Sequence, residues 1–515
     1  MTQISEQSAS RLQVVYHARP GWPTLAWLAS VPRAGYEVRV EHGPGVETHE
    51  AWFGDAVWDG PFDEGRPDAM ASVFGAAGRV DDQGGIDFIS STATVDRLQW
   101  FVDPDGRLWV SNSLVALLTR LGATLDAWDA RYPKRFESVI LGLDRYEREV
   151  PTSRGPVHLT YVRNLHWRDG VVQERAKPAI TGAFGDYASY RDYLTGTLYR
   201  LAANANDPAR RRRMTPLGTI SSGFDSPAAS ALAKSAGLEE AFTMTQARGG
   251  EDDSGEAIGA RLGLKVHRID RDAWRSRPLS ETPFLASDAK GEDVYFASAE
   301  HLLTDRLVLT GFAAGPWKRQ PTPNLDLRRA DQSGLSLTEH RLHVGYVSVP
   351  VPTIGAADGE AVFRVLHGAE MDRWTSGRPY DKPFCRRLLV EAGVPDGMFG
   401  QANRAASVLF FDRRSFLGDA SMLDYRAYLR AMRRRDPLRA AARTAADTGE
   451  ACGSAVLRAA QAGCAAGHRL TRLALLDRLA RSGRIVERAR YATAYRYLFP
   501  WAVGHVAKRY TGTRL

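Results

Sequence analysis

Residues 221–226, Ser-Ser-Gly-Phe-Asp-Ser, put hydroxyls, a glycine and a carboxylate between an apolar run and an alanine-rich stretch. The apolar run, Pro216-Leu-Gly-Thr-Ile, has the length of a short buried strand, and the stretch after the motif carries Pro227 where a helix would begin. Proline is tolerated in a first helical turn because no amide hydrogen is missed there. The free N–H groups of that turn, with the hydroxyls of Ser221, Ser222 and Ser226, favour an anion. A carboxylate among such groups is unfavourable unless a cation separates it from the anion, so Asp225 is a candidate Mg2+ ligand beside phosphates. The same residue types also fit a plain strand-to-helix turn with Ser or Asp capping the helix.

The flanking pattern supplies the elements that would position this motif. After the 216–220 strand come a helix over 227–235, a strand Ala241-Phe-Thr-Met-Thr, a helix over 254–262, a strand Lys265-Val-His-Arg-Ile-Asp, and a strand ending at Thr310-Gly311. Strands alternating with helices predict a parallel sheet covered on both faces, with ligands at the carboxyl ends of its strands. Residues 15–176 read differently, as short strands and turns. Leu98–Asn112 forms a hairpin pattern around Pro104-Asp-Gly, and Ser111-Asn-Ser113 stands where it would cap the helix that follows. The expected class is α/β: a flexible leader over 1–14, an α+β domain over 15–176, a parallel-sheet domain over 177–423, and a basic helical region over 424–515.

Composition limits the alternatives. With 44% apolar, 25% charged and 10% aromatic residues the chain is neither collagenous, coiled-coil nor wholly disordered. No run approaches the roughly 20 apolar residues of a membrane-spanning helix, and no basic leader precedes an apolar core, so a soluble cytoplasmic protein is expected. Three cysteines, Cys385, Cys452 and Cys464, form no disulfide framework and no CxxC pair. The net charge of +8 is local: residues 426–515 hold 19 Lys and Arg against 5 Asp and Glu, which leaves the first 425 residues acidic. Such a basic stretch is a solvated helix face or a surface for an acidic partner, nucleic acid or an anionic membrane. No nucleic-acid module with interleaved aromatics is recognisable.

The Ser221-Ser-Gly-Phe-Asp-Ser226 loop resembles the Ser-Gly-Gly-x-Asp-Ser pyrophosphate loop of ATP pyrophosphatases, above all their asparagine synthetase-like branch, which includes β-lactam synthetases and lasso-peptide cyclases. The order downstream is similar: the strand Phe242-Thr-Met-Thr-Gln, then the acidic turn Glu251-Asp-Asp-Ser-Gly-Glu. So is the order of domains, because these ligases carry a glutaminase-type domain ahead of the synthetase domain. The resemblance implies an AMP- and pyrophosphate-forming amide ligase that activates a small-molecule or peptide carboxylate as an acyl-adenylate for capture by an amine. It implies ATP and Mg2+ as cofactors. Ser221, Ser222, Gly223, Phe224 and Ser226 would cradle pyrophosphate, Thr243, Thr245 and Gly311 would contact the nucleotide, and Asp225 would hold the metal.

Three departures from the family pattern stand out. Position 2 is Thr2 rather than a nucleophilic cysteine, and no cysteine precedes Cys385, so glutamine is not expected as the ammonia source. The second metal motif of the family, Ser-Gly followed by Asp, is here Thr310-Gly-Phe-Ala-Ala-Gly-Pro-Trp-Lys318, without a carboxylate. Lys318 and Arg319 would then replace an ion with fixed charge, or an acid of Ser287-Asp-Ala-Lys-Gly-Glu-Asp293 would reach in, with Asp293 the candidate second ligand; a plain helix-capping role for Asp293 fits as well. In place of the family's late catalytic lysine stands Arg404, a phosphate clamp that donates protons less readily. Glu339 and Arg341 are expected to pair with each other, and Glu370, Tyr380 and Asp381 are candidate acid/base groups. The alternative to a ligase is a nucleotide-binding scaffold that kept the fold and lost the second metal site.

Overall fold

The computed structural model describes residues 12–180, 182–320, 332–378, 380–402, 404–409, 416–442 and 497–510, with positions 459, 462, 463 and 466. Thr2, Cys452, Cys464 and most of the basic 424–515 region lie outside the described residues.

In the N-terminal part, two sheets of seven and six strands stack face to face. Their pairings are antiparallel except for Gln13–Ala18 beside Glu37–His42, which run parallel. Gln13 therefore opens a strand inside the stretch expected to be a flexible leader. The core between the sheets is built from alternate residues of each strand: Val38 and Val40 from one, Ile86 and Phe88 from another, with Trp27, Phe53, Leu165 and Trp167. The expected hairpin is present, with Leu98–Val102 paired to Leu108–Ser111, and Ser113 caps the helix Leu114–Leu121 by accepting from the Ala116 amide at 3.0 Å.

The second part is the parallel sheet. Its five strands lie in the order Lys265–Ile269, Glu240–Met244, Thr215–Thr219, Arg306–Thr310, Val347–Pro350, and every pairing is parallel. Val347–Pro350 extends the sheet beyond the strands expected. In sequence it is four residues, Val-Ser-Val-Pro, too short for a periodicity signal. The chain starts in the middle, winds outward to Lys265–Ile269, then crosses to the other side at Arg306–Thr310. Thr215–Thr219 and Arg306–Thr310 therefore flank the switch point, where connections leave in opposite directions and open a crevice at the strand ends.

The third feature is a return of the C-terminal end to the body. Helix Leu498–Val506 buries Leu498, Phe499, Trp501, Val503 and Val506, and packs on helix Thr282–Asp288. Phe499 meets the rings of Tyr132 and Phe136 at 4.8 and 5.1 Å. This stretch is core rather than a solvated basic face, because its apolar residues outnumber its charges even though the region around it is basic. Among the described residues no helix is long and apolar enough to cross a membrane.

Candidate functional site

Strand Thr215–Thr219 delivers the 221–226 loop to the switch-point crevice, and Asp225 opens helix Asp225–Ala233. No side chain caps this helix, so the capping alternative for the loop's serines does not apply. The Ser221 and Ser226 hydroxyls meet at 3.0 Å, and Ser221 accepts from the Gly223 amide at 3.2 Å. Ser222 is turned the other way: its hydroxyl donates to Asp253 at 2.6 Å, and its amide to the Asp253 carbonyl at 3.2 Å.

Two contacts hold the loop in place. A β-carbon at Gly311, just past strand Arg306–Thr310, would lie 2.5 Å from the Asp225 carbonyl carbon and the Ser226 nitrogen, so only glycine allows the approach. Phe224 is fully buried between Tyr380 and Phe399, with ring centroids 5.1 and 5.7 Å away. Gly400, with a left-handed φ of 64°, lies against the same ring. Phe224, expected to contact a ligand through the loop, acts through its side chain as the anchor.

The loop forms one wall of a cavity of about 490 Å3. Ser221, Gly223, Asp225, Ser226, Asp253, Asp293, Gly311 and Arg404 all line it, so most of the expected site residues converge there from five separate stretches of chain. Phe242, Met244, Tyr295, Phe296 and Phe312 give it an apolar side suited to a flat ring. Phe224 and Tyr380 line it as well, whereas Ser222, Thr243, Thr245 and Lys318 do not. Thr243 and Thr245 alternate with Phe242 and Met244, so their side chains leave on the opposite face. Thr243 accepts from the Gly255 amide at 2.9 Å, and Thr245 bonds to Ile269 of the neighbouring strand. Lys318 is exposed and outside the cavity, while Arg319 pairs with Asp372 at 2.7 Å.

A lysine that the sequence reasoning overlooked takes the place assigned to Lys318. Lys382 donates to the Asp225 carboxylate at 2.5 Å and to the Ala314 carbonyl at 3.4 Å. It stands immediately before helix Pro383–Glu391, which packs against helix Asp225–Ala233. The available signal was a lysine directly ahead of a proline-started helix, beside Tyr380, which also lines the cavity. Cys385, one turn on, is buried with its sulfur 3.9 Å from Asp225, and burial next to that carboxylate pushes its thiol pKa well up, so it stays protonated. Glu370 and Asp381 are occupied elsewhere, by Arg387 and Arg386.

The acids of the cavity differ in what they could hold. Asp253 faces the loop, and burial raises its carboxyl while the Ser222 hydrogen bonds oppose the rise. Asp293, the expected second metal ligand, is buried and accepts from the Ser336 hydroxyl and from the amides of Gly334 and Ser336. Burial pushes it up to about 7, against those bonds. Three donors already occupy this carboxyl, and it makes no side-chain capping bond to the helix that follows it. Asp225 and Asp253, with the loop hydroxyls, form the oxygen-only donor set that a hard cation such as Mg2+ prefers.

Elsewhere, Asp81, Asp87 and His166 are the one His/Asp group of metal-binding spacing among the described residues. It lies in the N-terminal sheets, where His166 already bonds Asp87 at 3.0 Å and Arg175 stands 3.6 Å from the same oxygen. Glu339 and Arg341 do not pair with each other: Glu339 accepts from Ser113 and Tyr510, whereas Arg341 bonds Asp96 and Asp55. Positions two apart on a helix point about 200° apart, which separates the two. Compared with known proteins, the chain matches no protein-family model and no curated sequence.

Proposed function

We propose that this protein is an ATP-dependent, AMP- and pyrophosphate-forming amide ligase of asparagine synthetase-like build, acting on a small-molecule or peptide carboxylate and an amine. The observation that carries the proposal is the loop itself. Hydroxyls, the N-terminal amides of a helix, a carboxylate and a lysine meet at the switch point of a parallel sheet, beside an apolar wall able to take a purine. On this reading the two-sheet N-terminal part is a glutaminase-type domain without its cysteine, and the amine arrives from outside.

Each residue then has a task. Ser221, Ser226 and the first amides of helix Asp225–Ala233 would receive the β- and γ-phosphates, and Asp225 and Asp253 would hold Mg2+, whose charge would offset that of the leaving pyrophosphate. Lys382 supplies a fixed positive charge at Asp225, in the role for which Lys318 was a candidate. Arg404, bonded through its guanidinium to the Asp252 carbonyl at 2.5 Å, and Arg248 stand at the cavity wall as clamps. The apolar wall keeps water from the activated acyl group.

The nucleotide-scaffold alternative draws on one observation: the Lys382–Asp225 ion pair satisfies the carboxylate without any metal. ATP–pyrophosphate exchange with a panel of carboxylates separates the two. A ligase exchanges label in the presence of its carboxylate and loses that exchange in Asp225→Asn, with the circular dichroism spectrum unchanged. Binding of MgATP without exchange or AMP under any carboxylate supports the scaffold, and absence of MgATP binding at millimolar concentration ends both readings.

A further inference from the structure

Away from the loop cavity, two adjoining hollows of about 580 and 420 Å3 share Arg277, Glu300 and His343 and so make one groove. The groove runs along the junction between the returning C-terminal helix and the body. His505, Lys508 and Arg509 line it from the C-terminal side, and Arg277, His340 and His343 line it from the other.

Its charge is unbalanced. Arg277, Lys508 and Arg509 face a single carboxylate, Glu300. Glu300 is already engaged: it accepts from His340 at 3.3 Å and lies 3.4 Å from Arg277, and these partners, His340 first, hold its carboxyl down to about 2. His505 is likewise taken up, by Asp424 at 2.7 Å. Arg509 makes no hydrogen bond or ion pair among the described residues, and its Nη1 is buried without a partner. Burial depresses its guanidinium, and the nearby Tyr510, Glu339 and Glu300 offset that only in part. A buried cationic nitrogen without an acceptor is costly, since it has lost water and gained nothing in return. Lys508 has no ion pair among the described residues either, and His343 opens into the groove as a neutral imidazole, its pKa lowered to about 4 by burial and then by Arg509. Cations and an imidazole without acceptors, converging from two elements on a space of several hundred Å3, match an oxyanion with several acceptor oxygens.

We propose that this groove is a second anion site, separate from the loop cavity, which binds a phosphate-type ligand through Lys508, Arg509 and Arg277. The ligand would tie the C-terminal segment to the body, where Tyr510 follows Arg509 and donates to Glu339 at 3.0 Å, the same carboxylate that accepts from Ser113 at 2.7 Å. Occupancy would therefore tighten the joint between the C-terminal end and the N-terminal sheets.

The test is calorimetric titration of the full chain with inorganic phosphate and, separately, pyrophosphate in chloride buffer of constant ionic strength. Thermal melts are run on the same samples. Because the loop is also an anion site, the comparison uses Ser221→Ala/Ser226→Ala against Arg509→Gln, with Lys508→Gln and Arg277→Gln for the case in which Arg509→Gln does not fold. The expected result is saturable binding with a rise in melting temperature, retained in the loop variant and weakened about tenfold in the groove variants, as the loss of one charged hydrogen bond implies. A response to both anions points to a bare phosphate group as the recognised unit; a response to pyrophosphate alone points to a diphosphate ester. Absence of saturable binding at millimolar anion, or binding lost in the loop variant and indifferent to Lys508 and Arg277, overturns the proposal.

Discussion

Two carboxylate–cation clusters of similar bond length have opposite characters. At the seam between the halves, Arg341 bonds Asp55 at 2.6 Å and Asp96 at 2.7 Å, and the three side chains are 1%, 0% and 3% exposed. Asp55 also accepts from the Trp27 indole and the Asn112 amide, and Asp96 from the Thr338 hydroxyl. In the loop cavity, Lys382 bonds Asp225 at 2.5 Å, yet the carboxylate side chain is 29% exposed and faces open space. The first cluster is dry and held by neutral donors from both sequence halves, so its charge is committed to holding them together. The second keeps one side open, so its charge remains available to a ligand. Bond length does not distinguish them. Solvent access and the number of donors do.

The comparison is broken most severely at the seam. Arg341→Ala leaves two carboxylates buried without a counter-ion and is expected to cost about 3–5 kcal/mol of stability, read by urea denaturation. A loss below about 1 kcal/mol would show that the seam is wetter than described. Gly311→Ala comes next. Its new methyl meets loop backbone that cannot move aside as a side chain can, for an expected loss of about 1–3 kcal/mol together with weaker MgATP binding by calorimetry.

Lys382→Ala sharpens the contrast, because the pair it breaks is open to solvent on the Asp225 side and contributes less to folding than the closed seam. Stability should change by about 1 kcal/mol or less, while ATP–pyrophosphate exchange, once its carboxylate is known, should fall by about a hundredfold. A large stability loss with intact exchange would move this pair into the same class as the seam.

The smallest effect concerns pH. Asp293 titrates near 7 in the folded chain against an ordinary 3.8, so the folded state binds a proton that the unfolded state has released. Its stabilising contribution is complete below about pH 4 and is lost as pH rises through 7. Asp293→Asn should remove that part of the slope, so its denaturation midpoint should fall less than that of the native chain between about pH 4 and 7. Equal slopes would show that Asp293 is ionised throughout.

The sequence by itself determined what depends on near neighbours. Alternating strands and helices announced the parallel sheet, Pro104-Asp-Gly the hairpin, Ser113 its helix cap, and the 221–226 residues a strand-to-helix loop; each is a property of a few consecutive residues. Only the tertiary structure decided which distant groups meet. Lys382 reaches Asp225 across 157 positions, and Arg341 reaches Asp55 across 286. Lys318, by contrast, lies near the loop in the expected order of elements, yet its side chain points to solvent. The same limit applies to the C-terminal region, where composition reads a basic surface and folding buries Phe499, Trp501 and Tyr510. The physical reason is common to all of these. Backbone propensity and capping act over a few residues, whereas a charge finds its partner, and an apolar face its cover, only once the chain has closed on itself.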